Sequence, residues 1–359
     1  MIVIGRRMQL FLACSANSLR RVLLFIYSAL LLLSLAACRD CDVPAKSETK
    51  PDAMVQEDTT TVKIRFLPKW LHQAQFAGIY MANAKGYYRD RGLSVEIQYG
   101  GPDHSATTSL RDGFTDITCL SIFHAIRYNE QEKPLVYLAQ LFQKNPNMLI
   151  GKKRAGLSSL EDIKGKKIGI WGGEYGEHVQ LFLKDLDLDT EFVRVNWSVN
   201  LLLSNAIDLS NVMSYNEYHR VLMAGLDPDE LFIVPFRDIG YDMVDDGLVT
   251  TREFYENNPQ ACLDFTAATM QGWLYAFEHT EEALDEILRI MRQYHLPANR
   301  NHQAWMLEVI KDLVLDYPEG IGVLSRNDYD KVCDLMEKHK VIRNRIDYER
   351  FYPFARKKK

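Results

Sequence analysis

Strand-like and helix-like stretches alternate over residues 61–155 and again over 156–245, and after 245 the helical pattern runs alone. Alternation at this spacing fits mostly parallel sheets covered by helices on both faces. The first series opens at 61–67, where β-branched and apolar residues alternate with polar ones as in a strand. Small and apolar residues at helical spacing follow over 75–85 and stop at Gly86. Further strands are expected at 93–99, 116–120 and 135–141, with a helix at 121–129 that Ser121 can cap. A turn at Gly165 opens the second series. It carries strands at 167–171, 191–195, 209–213 and 231–235, and helices at 177–185, 199–205 and 217–224. Amphipathic segments at 261–278, 281–294, 303–315 and 327–338 make up the tail. The expectation is an α/β chain of two lobes around a cleft. The first lobe is 61–155 and the second 156–245, and 246–359 returns to the first as a helical part. Open α/β sheets take ligands at the C-terminal ends of their strands, and pockets favour domain interfaces.

Residues 1–60 carry a different pattern. Arg20 and Arg21 precede an apolar run over 22–35, too short for a stable membrane span. The run ends in Leu35-Ala36-Ala37-Cys38, which resembles the lipobox of bacterial lipoproteins. Residues 1–37 therefore read as a signal peptide, and Cys38 as the lipidation site. Acyl chains at Cys38 would anchor the protein in a bilayer, since two or more chains hold stably where one does not. Residues 38–60 are polar and charged, a flexible tether. The expected place is the cell envelope, facing a periplasm or the exterior.

Four of the 43 basic residues and none of the 48 acidic ones lie in 1–37, so the remainder has 39 against 48, a formal −9. No basic field exists to hold nucleic acid. The one CxxC, Cys38-Arg39-Asp40-Cys41, lies at the expected lipidation site, no cysteine falls in a metal-spaced cluster with histidine, and the nine histidines form no HxxxH or HxH pair, so neither a metal nor a cofactor is expected. Cys119, Cys262 and Cys333 sit in apolar patterns and read as buried thiols. The chain is expected to be monomeric.

Several side chains suit a cleft. Trp70 follows the first strand, and an indole offers a flat platform to a ring, although it could equally pack between lobes. Gly172-Gly173-Glu174-Tyr175-Gly176 joins a strand to a helix. Its glycines allow close approach of backbone to ligand, with Gly173 central, Glu174 as an acceptor and Tyr175 as a second aromatic face. Asn216 and Glu217 offer an amide and a carboxylate, with helix capping by Asn216 as the plainer role. Ser121 and His124 open a helix of the first lobe. Phe76 and Tyr80, four apart, read as core.

The stretches Lys69-Trp70-Leu71-His72-Gln73-Ala74-Gln75-Phe76-Ala77-Gly78-Ile79-Tyr80-Met81-Ala82 and Lys85-Gly86-Tyr87-Tyr88-Arg89-Asp90-Arg91-Gly92-Leu93, the run from Gly165 to Gly176, and Tyr215-Asn216-Glu217-Tyr218 resemble one family. It is the thiamine-precursor-binding family, which includes bacterial periplasmic pyrimidine-binding proteins and the fungal pyrimidine synthase of thiamine biosynthesis. The resemblance implies a type-two periplasmic binding fold and a small heterocyclic nutrient, of aminopyrimidine type, passed to an ABC importer permease. It also places His124 where the fungal synthase has its catalytic histidine. That enzyme holds pyridoxal phosphate on a lysine four residues earlier, and Leu120 stands there in this chain. The enzyme's clustered cysteines are also missing, with 238–248 in their place. A binding protein and not an enzyme is therefore expected. The synthase, a riboflavin-binding protein and a sulfonate-binding protein of the same fold are the alternatives.

Overall fold

The computed structural model describes residues 61–129, 134–172, 176–196, 198–315 and 320–354. Cys38, the expected signal peptide and the tether lie outside the described residues, as do Gly173, Glu174 and Tyr175.

Two five-stranded sheets form the two lobes. The first begins with β1 (Val62–Leu67), which leads through a 3-10 turn at Ala74–Phe76 into helix α1 (Ala77–Ala84). Strand β2 (Leu93–Ile97), helix α2 (Ala106–Arg111), strand β3 (Ile117–Ser121), helix α3 (Ile122–Tyr128) and strand β4 (Leu135–Gln140) follow. Ser121 caps α3 as its sequence position suggests, its hydroxyl accepting from the His124 amide at 3.3 Å.

The chain then crosses to the second sheet as β5 (Asn147–Lys152). There it builds β6 (Lys167–Trp171), α4 (Glu177–Asp185), β7 (Glu191–Val195), α5 (Asn200–Leu203), β8 (Leu209–Met213), α6 (Glu217–Met223) and β9 (Leu231–Pro235). It returns to the first sheet as β10 (Asp246–Thr251). Helices α7 (Arg252–Asn257), α8 (Pro259–Glu278), α9 (Thr280–Gln293), α10 (Arg300–Leu315), α11 (Arg326–Lys338) and α12 (Tyr348–Phe351) complete the chain.

The strand orders are β2-β1-β3-β10-β4 and β7-β6-β8-β5-β9. In each sheet the fourth place is taken by the strand that arrives from the other lobe, and that strand runs antiparallel to both its neighbours. The direction has a simple cause. The other strands run toward the cleft, so a chain that leaves one sheet at the cleft must enter the other at the cleft and run away from it. The sequence pattern does not place β5 and β10, whose apolar stretches Met148–Ile150 and Leu248–Val249 are short, flanked by glycine and polar residues, and give neither alternation nor an apolar run. The second sheet accordingly starts at Asn147, ahead of the turn at Gly165 that suggested a boundary near 156.

The tail packs on the first lobe. Helix α8 lies against α1 at a distance only glycine allows: a Cβ at Gly78 would sit 2.3 Å from the Trp273 ring, and one at Gly272 would sit 2.0 Å from the Gly78 carbonyl. Trp273, Tyr88 and Phe265 fill the interface, the last two stacked at 4.9 Å. Phe76 and Tyr80 are core residues, as are the three thiols Cys119, Cys262 and Cys333.

Candidate functional site

A cavity lies where the strands of both lobes end. The loop after β1 contributes Lys69, Trp70, Gln73 and Gln75. The second lobe contributes Trp171, the last residue of β6, and Met213, the last of β8, with Tyr215, Asn216 and Glu217 beyond it. Two indoles, one from each lobe, thus line one space. The space between these atoms totals about 330 Å³, but only about 30 Å³ of it is wide enough for the centre of a water molecule. That is room for a few waters, so a ring can enter only if the lobes part or side chains move.

Charge at the cavity is arranged tightly. The Lys69 ammonium is ion-paired with Asp246, and both side chains are buried. Gln75 donates to the other Asp246 oxygen at 2.7 Å and accepts from Gln73 at 2.7 Å. Asp246 opens the returning strand β10, so this network ties the crossover to the loop after β1. Burial raises the carboxyl groups of Asp245 and Asp246 against the pull of Lys69.

Glu217, fully inside, accepts from the Met213 amide at 3.0 Å and from the Asn216 side-chain amide at 2.8 Å. Burial pushes its carboxyl up, and the Met213 amide opposes that. Its own backbone amide lowers the carboxyl as well. Asn216 makes no side-chain cap to α6, which rules out the plainer role for it. Its carbonyl instead faces His302 Nε2 of α10 at 3.0 Å.

Ser121 lines a second, smaller cavity with Asn145, Asn147, His178 and Asp245. The Ser121 hydroxyl and His124 Nδ1 are 2.6 Å apart, and the His124 ring meets the His178 ring edge to face at 6.0 Å. His178, on the first turn of α4, is held to about 3 by burial and by the field of Lys69. Among the described residues, no group of three or more His, Cys, Asp or Glu could hold a metal ion.

The structure therefore brings Trp70, Asn216 and Glu217 to one cavity and sets Ser121 and His124 beside another. Lys69, Gln75, Trp171 and Tyr215 were not foreseen as site residues. Trp171 had a signal, since it ends a parallel strand, where open α/β sheets hold ligands. Lys69 and Gln75 had none, because their partner Asp246 is distant in sequence.

Known proteins match this geometry and sequence. The periplasmic aliphatic sulphonate binding protein SsuA of Escherichia coli has a TM-score of 0.62 at 14% identity, over 81% of this chain and 91% of its own. Together with the two crossed sheets, that likeness shows a type-two periplasmic binding fold. Riboflavin-binding protein RibY of Chloroflexus aurantiacus is 23% identical over 291 residues, 77% of this chain and 80% of that protein. The 4-amino-5-hydroxymethyl-2-methylpyrimidine phosphate synthase of Legionella pneumophila is 21% identical over 297 residues, 81% and 90% of the two chains. The profile of the family described as NMT1/THI5 like matches residues 73–283, from the loop that carries Gln73 and Gln75 through both lobes and into α9. With more than half of its length matched, this chain is a member of the NMT1/THI5-like family.

Proposed function

We propose that this chain is a solute-binding protein of an ABC importer, lipid-anchored at Cys38, that captures a flat heterocyclic nutrient of the aminopyrimidine type. One observation carries the reading: Trp70 and Trp171 reach a single cavity from opposite lobes, beside the buried acceptors of Glu217 and Asn216. A ring between the indoles couples occupancy to closure of the lobes, and a ligand shifts that equilibrium only by preferring the closed state. Among the described residues lining the cavity the one cation, Lys69, is already committed to Asp246, while Glu217 feels only the field of Arg220. Such a site favours a donor-rich ring over a sulfonate. If Gly173, Glu174 and Tyr175 also face the ligand, they would add acceptors and a third aromatic surface.

Riboflavin is the second reading, supported by the similarity to RibY along most of the chain. Two indole faces stack on an isoalloxazine as readily as on a pyrimidine. The synthase reading is weaker. Leu120 is buried in β3 where an aldimine would need an amine.

Thermal-shift screening against hydroxymethyl- and formylamino-pyrimidines, thiamine, riboflavin and an alkanesulfonate, followed by calorimetry, separates these readings. Stacking on one indole contributes about 1–3 kcal/mol, so Trp171→Ala should weaken the hit about tenfold or more. A response to the sulfonate alone, with Trp171→Ala binding as well as wild type, would reject the aminopyrimidine and the stacking slot together. For the anchor, metabolic labelling with a palmitate analogue should mark wild type and leave Cys38→Ala unmarked; equal labelling would remove the lipid.

A further inference from the structure

A chain of hydrogen bonds leaves the cavity wall and ends on the tail. Met213 N–H and Asn216 Nδ2 donate to the two oxygens of Glu217. Asn216 Oδ1 lies 3.0 Å from His302 Nε2, and His302 Nδ1 lies 2.9 Å from His219 Nδ1. The His219 ring is stacked on Trp305 at 4.5 Å with the planes 5° apart, and the Trp305 indole N–H points to the Ser214 carbonyl at 3.4 Å. Ser214, Asn216, Glu217 and His219 belong to the second lobe. His302 and Trp305 belong to α10, which is fixed to the first lobe where Gln303 accepts from the Ala74 amide at 2.7 Å. The Asn216–His302, His219–His302, His219–Trp305 and Trp305–Ser214 contacts run between the lobes, and the two bonds to Glu217 lie within the second.

The bond directions follow from the partners. Asn216 turns its amide nitrogen to Glu217, so its oxygen faces His302, and His302 Nε2 must carry a hydrogen. In a neutral imidazole the other nitrogen is then an acceptor, and His219 Nδ1 must be the donor. The chain is complete with both rings neutral and stays complete with one proton on His219, whose Nδ1 still donates; it breaks when His302 Nδ1 is protonated as well. One added proton puts a charge on a pair of which His302 is buried and His219 half-buried, and a second sets donor against donor.

We propose that His219 and His302 form an acid-labile latch between the lobes, with His302 the positioning residue that holds Asn216 and Glu217 at the cavity wall. The latch concerns closure and stands whatever ligand fills the cavity.

The charged surroundings act in the same sense. Arg220 follows His219, and its field together with that of His219 adds to burial in holding His302 down to about 4. His219 is lowered as well, by burial. Tyr218 lies against Trp305 at 6.2 Å, and its phenol is raised by burial and stays neutral. Among the described residues no carboxylate figures in the field on His302, and Glu217 is separated from it by the Asn216 amide. Arg300, on the first turn of α10, is occupied by Glu281 and Asp285 of α9. The turn at Ala74–Phe76 brings no titratable side chain to α10. A histidine whose latched pKa lies below its free value of about 6.5 stabilises the latched state fully above 6.5. That stabilisation is lost as pH falls from there toward 4.

Hydrogen exchange on the full, detergent-solubilised chain, read by mass spectrometry and corrected for the intrinsic pH dependence, tests this without a ligand. Protection of 213–219 and 300–306 should fall roughly tenfold or more between pH 7 and pH 5, while 135–140, inside the first sheet, holds. His219→Phe keeps a ring on Trp305 and removes the titrating group, and His302→Gln keeps a donor toward Asn216. His302→Gln should show protection in these segments that varies little with pH, and His219→Phe, which keeps His302, a smaller acid loss than wild type. Equal protection of wild type at the two pH values would overturn the latch. So would the same acid loss in both variants, or loss in 135–140 alongside, which would mean global unfolding.

Discussion

Polar contacts at the cleft and polar contacts on the surface both join parts of this molecule that lie far apart in sequence, and they differ in kind. At the cleft, Lys69, Asp246 and Gln75 form a buried charge network, and Glu217, Asn216 and His302 a buried chain of hydrogen bonds. On the surface, Lys338 of α11 meets Asp185 of α4, and Arg127 of α3 meets Glu177. These too cross from one lobe to the other, but the Lys338 side chain is 59% exposed and that of Arg127 46%. Water competes for the surface pairs, so each contributes about 0–1 kcal/mol and is screened by salt. Water does not reach the buried groups, which makes a missing partner costly and leaves protons, not salt, as their control. A hinge built this way can have a weak, adjustable ionic surface and a demanding interior.

The largest effect is expected at Lys69. Lys69→Met leaves the Asp246 carboxylate buried beside Asp245 without its cation, and should cost about 3–5 kcal/mol in denaturant unfolding. Adding Asp246→Leu to Lys69→Met should recover most of that loss, because the penalty belongs to the unpaired charge. If the single variant costs less than a surface substitution, the cleft network is no stiffer than the surface and the contrast fails. The smallest effect is expected at Lys338. Lys338→Ala should change stability by less than about 1 kcal/mol, and raising the salt concentration should shrink even that. A loss comparable to that of Lys69→Met, persisting in high salt, would show that α11 fastens the lobes as firmly as the cleft does. Between these limits lies the acid-labile pair, which distinguishes the regions by a different variable: pH should loosen 213–219 and 300–306, and salt should not.

Much of the architecture was legible in order along the chain. The strands that end in Leu67, Trp171 and Met213 have the alternation or apolar run that local pairing demands, and Ser121 marks its helix start by capping chemistry alone. Trp70, Asn216 and Glu217 could be chosen because strand ends hold ligands in such folds and because their side chains suit a ring with donors. The site was less complete. Trp171 was visible as a strand residue and not as a wall of the cavity, since a tryptophan at a strand end packs or stacks depending on what faces it.

What the sequence determined by itself is local: where most strands and helices form, the N-terminal run ending at Cys38, the acidic balance, and the family. These follow from periodicity, composition and motif, which act over a few residues. Only the tertiary structure decided that β5 and β10 exchange between sheets, that Asp246 lies against Lys69 across 177 residues, and that His302 reaches Asn216 across 86. Such pairings cost chain entropy to close and are stabilised only when burial removes water from both partners at once. A single side chain carries no record of that before the lobes are assembled.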